Sequence, residues 1–184
     1  MGTVPVAPTW STNVKITAAN LQSMSDGINW DFATRPICFL VQQSAQTGWT
    51  SGTLTAIQFG GAPEVIDRDG QHDPTTNNTR VIIGKTLGWY RVSGTYVAAV
   101  NANITRLQAR IELNGAAVDG SFTGVGISGN FTHGIPTGTV IVQATTSTDY
   151  VEITAAETVS SGTPIGTAVS TGAHSTLLVE WLGY

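Results

Sequence analysis

The densest set of potential ligands in this 184-residue chain is Asp67-Arg68-Asp69-Gly70-Gln71-His72-Asp73. Carboxylates one residue apart in a loop can present oxygens to calcium, and His72 beside Asp73 suits a transition metal. The stretch lacks the further oxygens and the downstream glutamate of a calcium loop. The favoured reading is therefore a polar connection whose Asp side chains bond their own backbone, with no metal and no cofactor expected. Gly124-Val125-Gly126-Ile127-Ser128-Gly129 has the glycine spacing of a dinucleotide loop, but a phosphate cradle needs a helix start directly after it and this stretch reads as strand. His72, His133 and His174 stand in separate segments, with no nucleophile signature beside them. Glycan cleavage needs two carboxylates roughly 5–10 Å apart, and nothing selects a pair among Glu112, Glu152, Glu157 and Glu180. Cys38, the only cysteine, lies in Ile37-Cys38-Phe39-Leu40-Val41 and reads as a small hydrophobe. The chain is expected not to be an enzyme.

The most readable stretch runs from Leu87 to Gly115. Tyr90, Val92, Gly94, Tyr96, Ala98 and Val100 share one parity. Further on, Leu107, Ala109, Ile111 and Leu113 alternate with Arg106, Gln108, Arg110 and Glu112. A period of two maintained this long predicts strands with one dry face. Asn114-Gly115 then predicts a tight hairpin turn. Strands are expected near 37–43, 53–59, 64–67, 80–84, 88–101, 105–113, 121–131, 138–146, 149–156 and 175–183. The apolar last one should be paired inside a sheet rather than left at an edge. This pattern predicts an all-β antiparallel sandwich, jelly roll or barrel.

Residues 1–36 read differently. Thr17 can cap a short helix from Ala18 to about Asp31, with Leu21, Met24 and Ile28 at i, i+3 and i+7. So narrow a stripe cannot hold a helix in water by itself, so residues 1–36 are expected to form an arm that docks on something else. Trp10, Leu21, Met24, Ile28 and Trp30 are its anchoring candidates. Pro36 ends the arm and residues 37–184 form the β domain.

Charged residues make up 11% of the chain, against about 25% in typical soluble proteins. No apolar run approaches the roughly 18–20 residues of a membrane helix, so no membrane insertion is expected. Nor does the start show a basic segment followed by an apolar one, so no export signal is expected. A charge-poor β surface fits a large oligomer interface. The net charge of −4, with eight Lys and Arg in all, argues against nucleic acid as a partner.

The order of these strands resembles the trimeric jelly roll shared by complement globular heads and tumour-necrosis-factor-like proteins. Gly88-Trp89-Tyr90-Arg91-Val92 is similar to that family's Gly-x-Tyr-x-Val strand, and Leu113-Asn114-Gly115 to its strand and Asn-Gly turn. Thr148-Asp149-Tyr150-Val151-Glu152-Ile153 is similar to its Gly-Asp-x-Val strand, with Thr where Gly is usual, and Leu177 to Leu182 resembles its terminal strand. A closer resemblance is to head- and tail-associated structural proteins of bacteriophages, especially those of actinobacterial hosts. There a leader like Trp10 to Leu21 precedes such a jelly roll, and a loop like Asp67 to Asp73 precedes its Gly-x-Tyr strand.

The resemblance implies a homotrimeric structural protein of a bacteriophage virion, made in the host cytoplasm: a capsid decoration or head-fibre protein. Residues 1–36 would hold other virion proteins of capsid or tail. Tyr90, Tyr96, Trp181 and Leu182 would meet near the three-fold axis. The alternative is a tail-fibre or receptor-binding module that contacts host-surface glycan or protein through Trp49, His133 and the loop 158–174.

Overall fold

The computed structural model describes residues 17–29, 35–127 and 132–184. The one α-helix among the described residues, α1, spans Ala18–Asn29. Thr17 caps it as expected: its hydroxyl oxygen accepts from the Asn20 amide at 3.2 Å, while the Asn20 side-chain oxygen accepts from the Thr17 amide at 3.1 Å. This reciprocal pair satisfies two of the donors that every helix start leaves without partners.

The body begins with β1 (Ile37–Val41), β2 (Thr55–Ala56), β3 (Glu64–Asp67) and β4 (Arg80–Ile82). The long β5 (Gly88–Ala98) and β6 (Ile104–Leu113) follow, then β7 (Ala116–Ala117), β8 (Thr123–Gly126), β9 (His133–Pro136) and β10 (Val140–Ala144). The chain closes with β11 (Tyr150–Val159) and β12 (Thr176–Gly183). Sheet I runs β10-β5-β12-β1-β3, with β9 also beside β5. Sheet II runs β2-β11-β6-β7, with β4 also on β11 and β8 on β6. Every pairing is antiparallel. The two sheets form a jelly-roll sandwich, and β12 lies inside sheet I between β5 and β1, as its apolarity predicted.

Alternation fixes which side chains enter the sandwich. Tyr90, Val92 and Tyr96 of β5 point inward, as do Leu107, Ala109 and Ile111 of β6 and Leu177, Val179 and Trp181 of β12. Fully burying each such aliphatic side chain stabilises the fold by about 1.5–3 kcal/mol. The dry face of β5 ends at Ala98; Val100, expected on it, is exposed. Two short strands escaped expectation. β7 is only two residues long, and β9 is a short, polar-bounded segment that pairs with the far half of β5.

Asn114 and Gly115 turn β6 into β7 with φ of 53° and 78°. Both values are positive, which the Asn-Gly pair tolerates better than any other combination. The turn is also tied to its neighbour. The Asn114 side-chain amide donates to Asp149 at 2.9 Å, and the Tyr150 amide donates back to the Asn114 oxygen at 2.9 Å. Burial raises the Asp149 carboxyl. Hydrogen bonds from the Thr146 amide and hydroxyl, the Thr145 amide and Asn114 outweigh that and hold it well below the usual carboxylate range.

A lowered folded-state pKa means that the stabilisation is present above the unfolded value of about 3.9 and is lost as pH falls through the folded value. Asp149→Asn should therefore lose roughly 1–3 kcal/mol at pH 7 and decline less steeply on acidification. Urea melts at pH 7 and pH 3 would read both effects. A variant as stable as the parent at pH 7 would contradict the hub role of Asp149.

Candidate self-association surface

The side chains of the 67–73 loop bond to its own backbone and to neighbouring segments. Asp67 accepts from the Gln71 and His72 amides at 2.8 and 3.1 Å, and Asp69 accepts from the Thr86 hydroxyl at 3.2 Å. His72 is buried, with Nδ1 2.7 Å from Glu64 and Nε2 3.3 Å from the Asn78 carbonyl. Asp73 closes a turn, accepting from the Thr75 hydroxyl and from the Thr75 and Thr76 amides, and these bonds lower its pKa to about 2. Among the described residues no group of three or more His, Cys, Asp or Glu could hold a metal ion. Burial pushes the Cys38 thiol upward, so it is no nucleophile at neutral pH.

Several residues chosen from sequence for outward roles sit inside the protomer. Tyr90 and Tyr96 were expected at a three-fold axis, but both have no exposed surface. The Tyr90 hydroxyl donates to the Thr86 carbonyl and that of Tyr96 to Glu157, each at 2.7 Å. Trp181 is buried as well, its indole N–H donating to the Leu87 carbonyl at 3.0 Å. Trp49, expected on an accessible loop, is buried and stacks on Tyr96 with ring centroids 5.5 Å apart. In each case the polar tip of the ring finds a partner in the core or the ring finds a neighbour, and apolar area decides the side.

His133 opens β9, half-buried opposite Ala98. In the loop 158–174, the Ile165 and Gly166 amides are held by Glu157. Leu182 is exposed, on the outward parity of β12 with Leu178 and Glu180. Trp10 and Trp30 lie outside the described residues.

Among the described residues, the outward face of sheet I carries exposed and half-exposed apolar side chains. Directly opposed residues on neighbouring strands share a face. Register places Ile66, Phe39, Leu178 and Ser93 in one row, and Ile37, Glu180, Arg91 and Ile141 in the next. The first row is an apolar stripe across three strands. Ile141, Leu182 and Trp89 stand around it at 59%, 43% and 41% exposure. Within the face, Glu180 is gripped by two guanidiniums, Arg35 at 2.9 Å and Arg91. Its charge is thus answered before anything covers it, which an interface core requires. Phe122 and Val125 are also exposed beside β8 at the border of sheet II, on opposite faces of that strand.

One pair went unseen in the sequence. Glu112 of β6 and Glu152 of β11 are register partners on the outward side of sheet II, each nearly buried. Glu112 takes Arg110 at 2.6 and 2.9 Å and the Thr154 hydroxyl at 2.9 Å, while Glu152 takes the Thr79 hydroxyl at 2.9 Å. Local spacing could not reveal the pair, because 39 residues and a change of strand separate its members. Parity on β11 does place Glu157 with Val151, Ile153 and Ala155, and that was a usable signal for a buried carboxylate.

No family model and no curated protein matches the sequence. Solved structures do. The globular domain of the zebrafish complement 1qA protein superposes with a TM-score of 0.55 at 9% identity, over 80% of this chain and 98% of that one. Murine APRIL superposes with a TM-score of 0.52 at 8% identity in its pH 5.0 structure, and 0.50 at 10% in its pH 8.5 structure. Each APRIL match covers 79% of this chain and 98% of the other. What this chain has in common with these proteins is the antiparallel jelly-roll fold.

Proposed function

We propose that the chain is a non-enzymatic structural protein that assembles as a homotrimer on a bacteriophage virion, as a capsid decoration or head-fibre protein held by residues 1–36. The carrying observation is the outward face of sheet I. An apolar row, open at Ile66 and half-buried at Phe39 and Leu178, and its exposed surround of Trp89, Ile141 and Leu182 leave apolar area to water in the protomer, on a chain with few charges. The face of sheet I is not self-complementary in charge, with Arg35 and Arg91 both on Glu180, and a heterologous contact of it with another surface of the next copy gives a closed ring where the rotation between copies is one third of a turn. Three copies is the number implied by the likeness to the complement-head and tumour-necrosis-factor-like jelly roll. The virion setting rests on the resemblance of the leader and of the 67–73 loop to phage structural proteins.

Light scattering on purified protein should give three times the 19.2 kDa chain mass at micromolar concentration, and a monomer there would end the trimer reading. Virions carrying a chain cut back to residue 37 should contain far fewer copies; full incorporation would remove the anchoring role.

A further inference from the structure

Helix α1 carries an uncovered apolar side. Leu21, Met24 and Ile28 are 57%, 46% and 56% exposed, and their i, i+3, i+7 spacing lines them along one side of the axis. The one charge of α1, Asp26, lies about 165° around the axis from that line at 100° per residue, where the Gln22 amide donates to it at 2.7 Å. A helix of 12 residues with Gly27 inside it is marginal in water on propensity and capping alone.

Its position relative to the body matters as much. The chain re-enters the body at Arg35, whose guanidinium bonds Glu180 on the outward face of sheet I. Asn29 and Arg35 are six residues apart in sequence, so their Cα atoms stand at most ~20 Å apart. In a three-fold assembly each α1 is thus tethered to within ~20 Å of the outward face of its own sheet I, and the three helices are equivalent, all with one polarity under rotational symmetry.

We propose that the Leu21–Met24–Ile28 stripes of three copies pack on one another as a short parallel three-helix bundle, so that the arm meets its attachment point as one stalk. The proposal rests on the trimer reading above. Spacings of three and four residues are those of alternate core positions in a coiled coil. Asp26 points away from the seam, so three like charges do not meet there. A charged partner surface offers this helix little, because α1 has no basic residue and one acidic one.

The test uses full-length Met24→Cys, Leu21→Cys and Asp26→Cys chains. Cys38 is buried, so the introduced thiol is the one that reacts. In trimers verified by light scattering, mild oxidation should give covalent dimers at least ~10-fold faster at positions 24 and 21 than at 26, since packing raises the effective thiol concentration. Equal rates at all three positions would overturn the bundle. So would a position-24 thiol open to maleimide in the intact trimer, or one that is shielded yet never cross-links, which would mean a different partner covers the stripe. A monomer by light scattering would instead sink the trimer reading, so the two failures are told apart.

Discussion

Ile66→Lys combined with Ile141→Lys is expected to convert the assembly to monomers while leaving each jelly roll folded. Both isoleucines are exposed in the protomer, on strands β3 and β10 at opposite borders of the outward face of sheet I. Neither packs in the sandwich core, so the protomer loses little by the exchange. In an assembly through that face, the lysines bring six ammoniums towards a desolvated surface that already holds Arg91 beside Ile141. At about 2 kcal/mol for each of three copies, the cost is ~6 kcal/mol, a weakening of roughly 10^4-fold in the association constant. Ile66→Thr with Ile141→Thr keeps the β-branched shape without charge and should reduce association far less. Light scattering at several concentrations reads the mass, and far-ultraviolet circular dichroism confirms that the strands persist. A doubly lysine-substituted protein that is still trimeric at micromolar concentration would show that this face is not where the copies meet.

Much of this fold can be read in the chain because its signals are local. The alternation in β5 and β6, the Asn114-Gly115 turn and the Thr17 cap each lie within a few residues of one another, and each appears where expected. What could not be read is which neighbour a face meets. Tyr90, Tyr96 and Trp181 were expected at a three-fold axis on the resemblance to the trimeric jelly roll; alternation gives the common side of Tyr90 and Tyr96 but not that this side is the sandwich interior. Trp49 looked accessible because it stands among Gly, Thr and Ser. It is in fact drawn onto Tyr96, 47 residues away. The 67–73 loop is the densest set of ligand types in the sequence, but its Asp67, Asp69, His72 and Asp73 side chains are each engaged by the protein, and several partners come from other segments, Glu64, Asn78 and Thr86 among them. The Glu112–Glu152 pair exists only through register across strands. Chemistry-bearing side chains on a β scaffold are assembled by pairing, and pairing is set by the whole sheet.

Glu157→Ala is expected to be the most damaging single change within the protomer, and the reason is the number of donors that end on one carboxylate. Glu157 is fully buried on the inward side of β11. Its Oε1 accepts from the Tyr96 hydroxyl at 2.7 Å, and its Oε2 accepts from the Ile165 and Gly166 amides at 3.0 and 3.3 Å. Only glycine can supply that last amide, because Gly166 has a φ of +107° and a Cβ there would stand 2.1 Å from the Gln46 carbonyl. Alanine at 157 leaves the Ile165 and Gly166 amides without their acceptor and the Tyr96 hydroxyl with only the Gly166 carbonyl at 3.3 Å, at about 1–3 kcal/mol for each lost bond, and opens a cavity beside Tyr96. A loss of roughly 4 kcal/mol or more follows, and for a chain of this length Tm falls by about 10 °C. Glu157→Gln keeps the volume and one acceptor oxygen and should lose far less. The pair also separates a pH effect. Burial raises the Glu157 pKa above its ordinary value, against the lowering bonds from Tyr96, Gly166 and Ile165. The folded chain therefore binds this proton more tightly than the unfolded one. The contribution is fully present below the unfolded value of about 4.3 and is lost as pH rises through the folded value. In the Gln variant that loss disappears, so its stability relative to the parent should improve as pH rises through that window. Chemical denaturation of both variants at pH 4 and pH 7 measures the two effects together. An alanine variant within 1 kcal/mol of the parent would mean that water replaces the carboxylate, and that β5, β11 and the 158–174 loop are not joined through it.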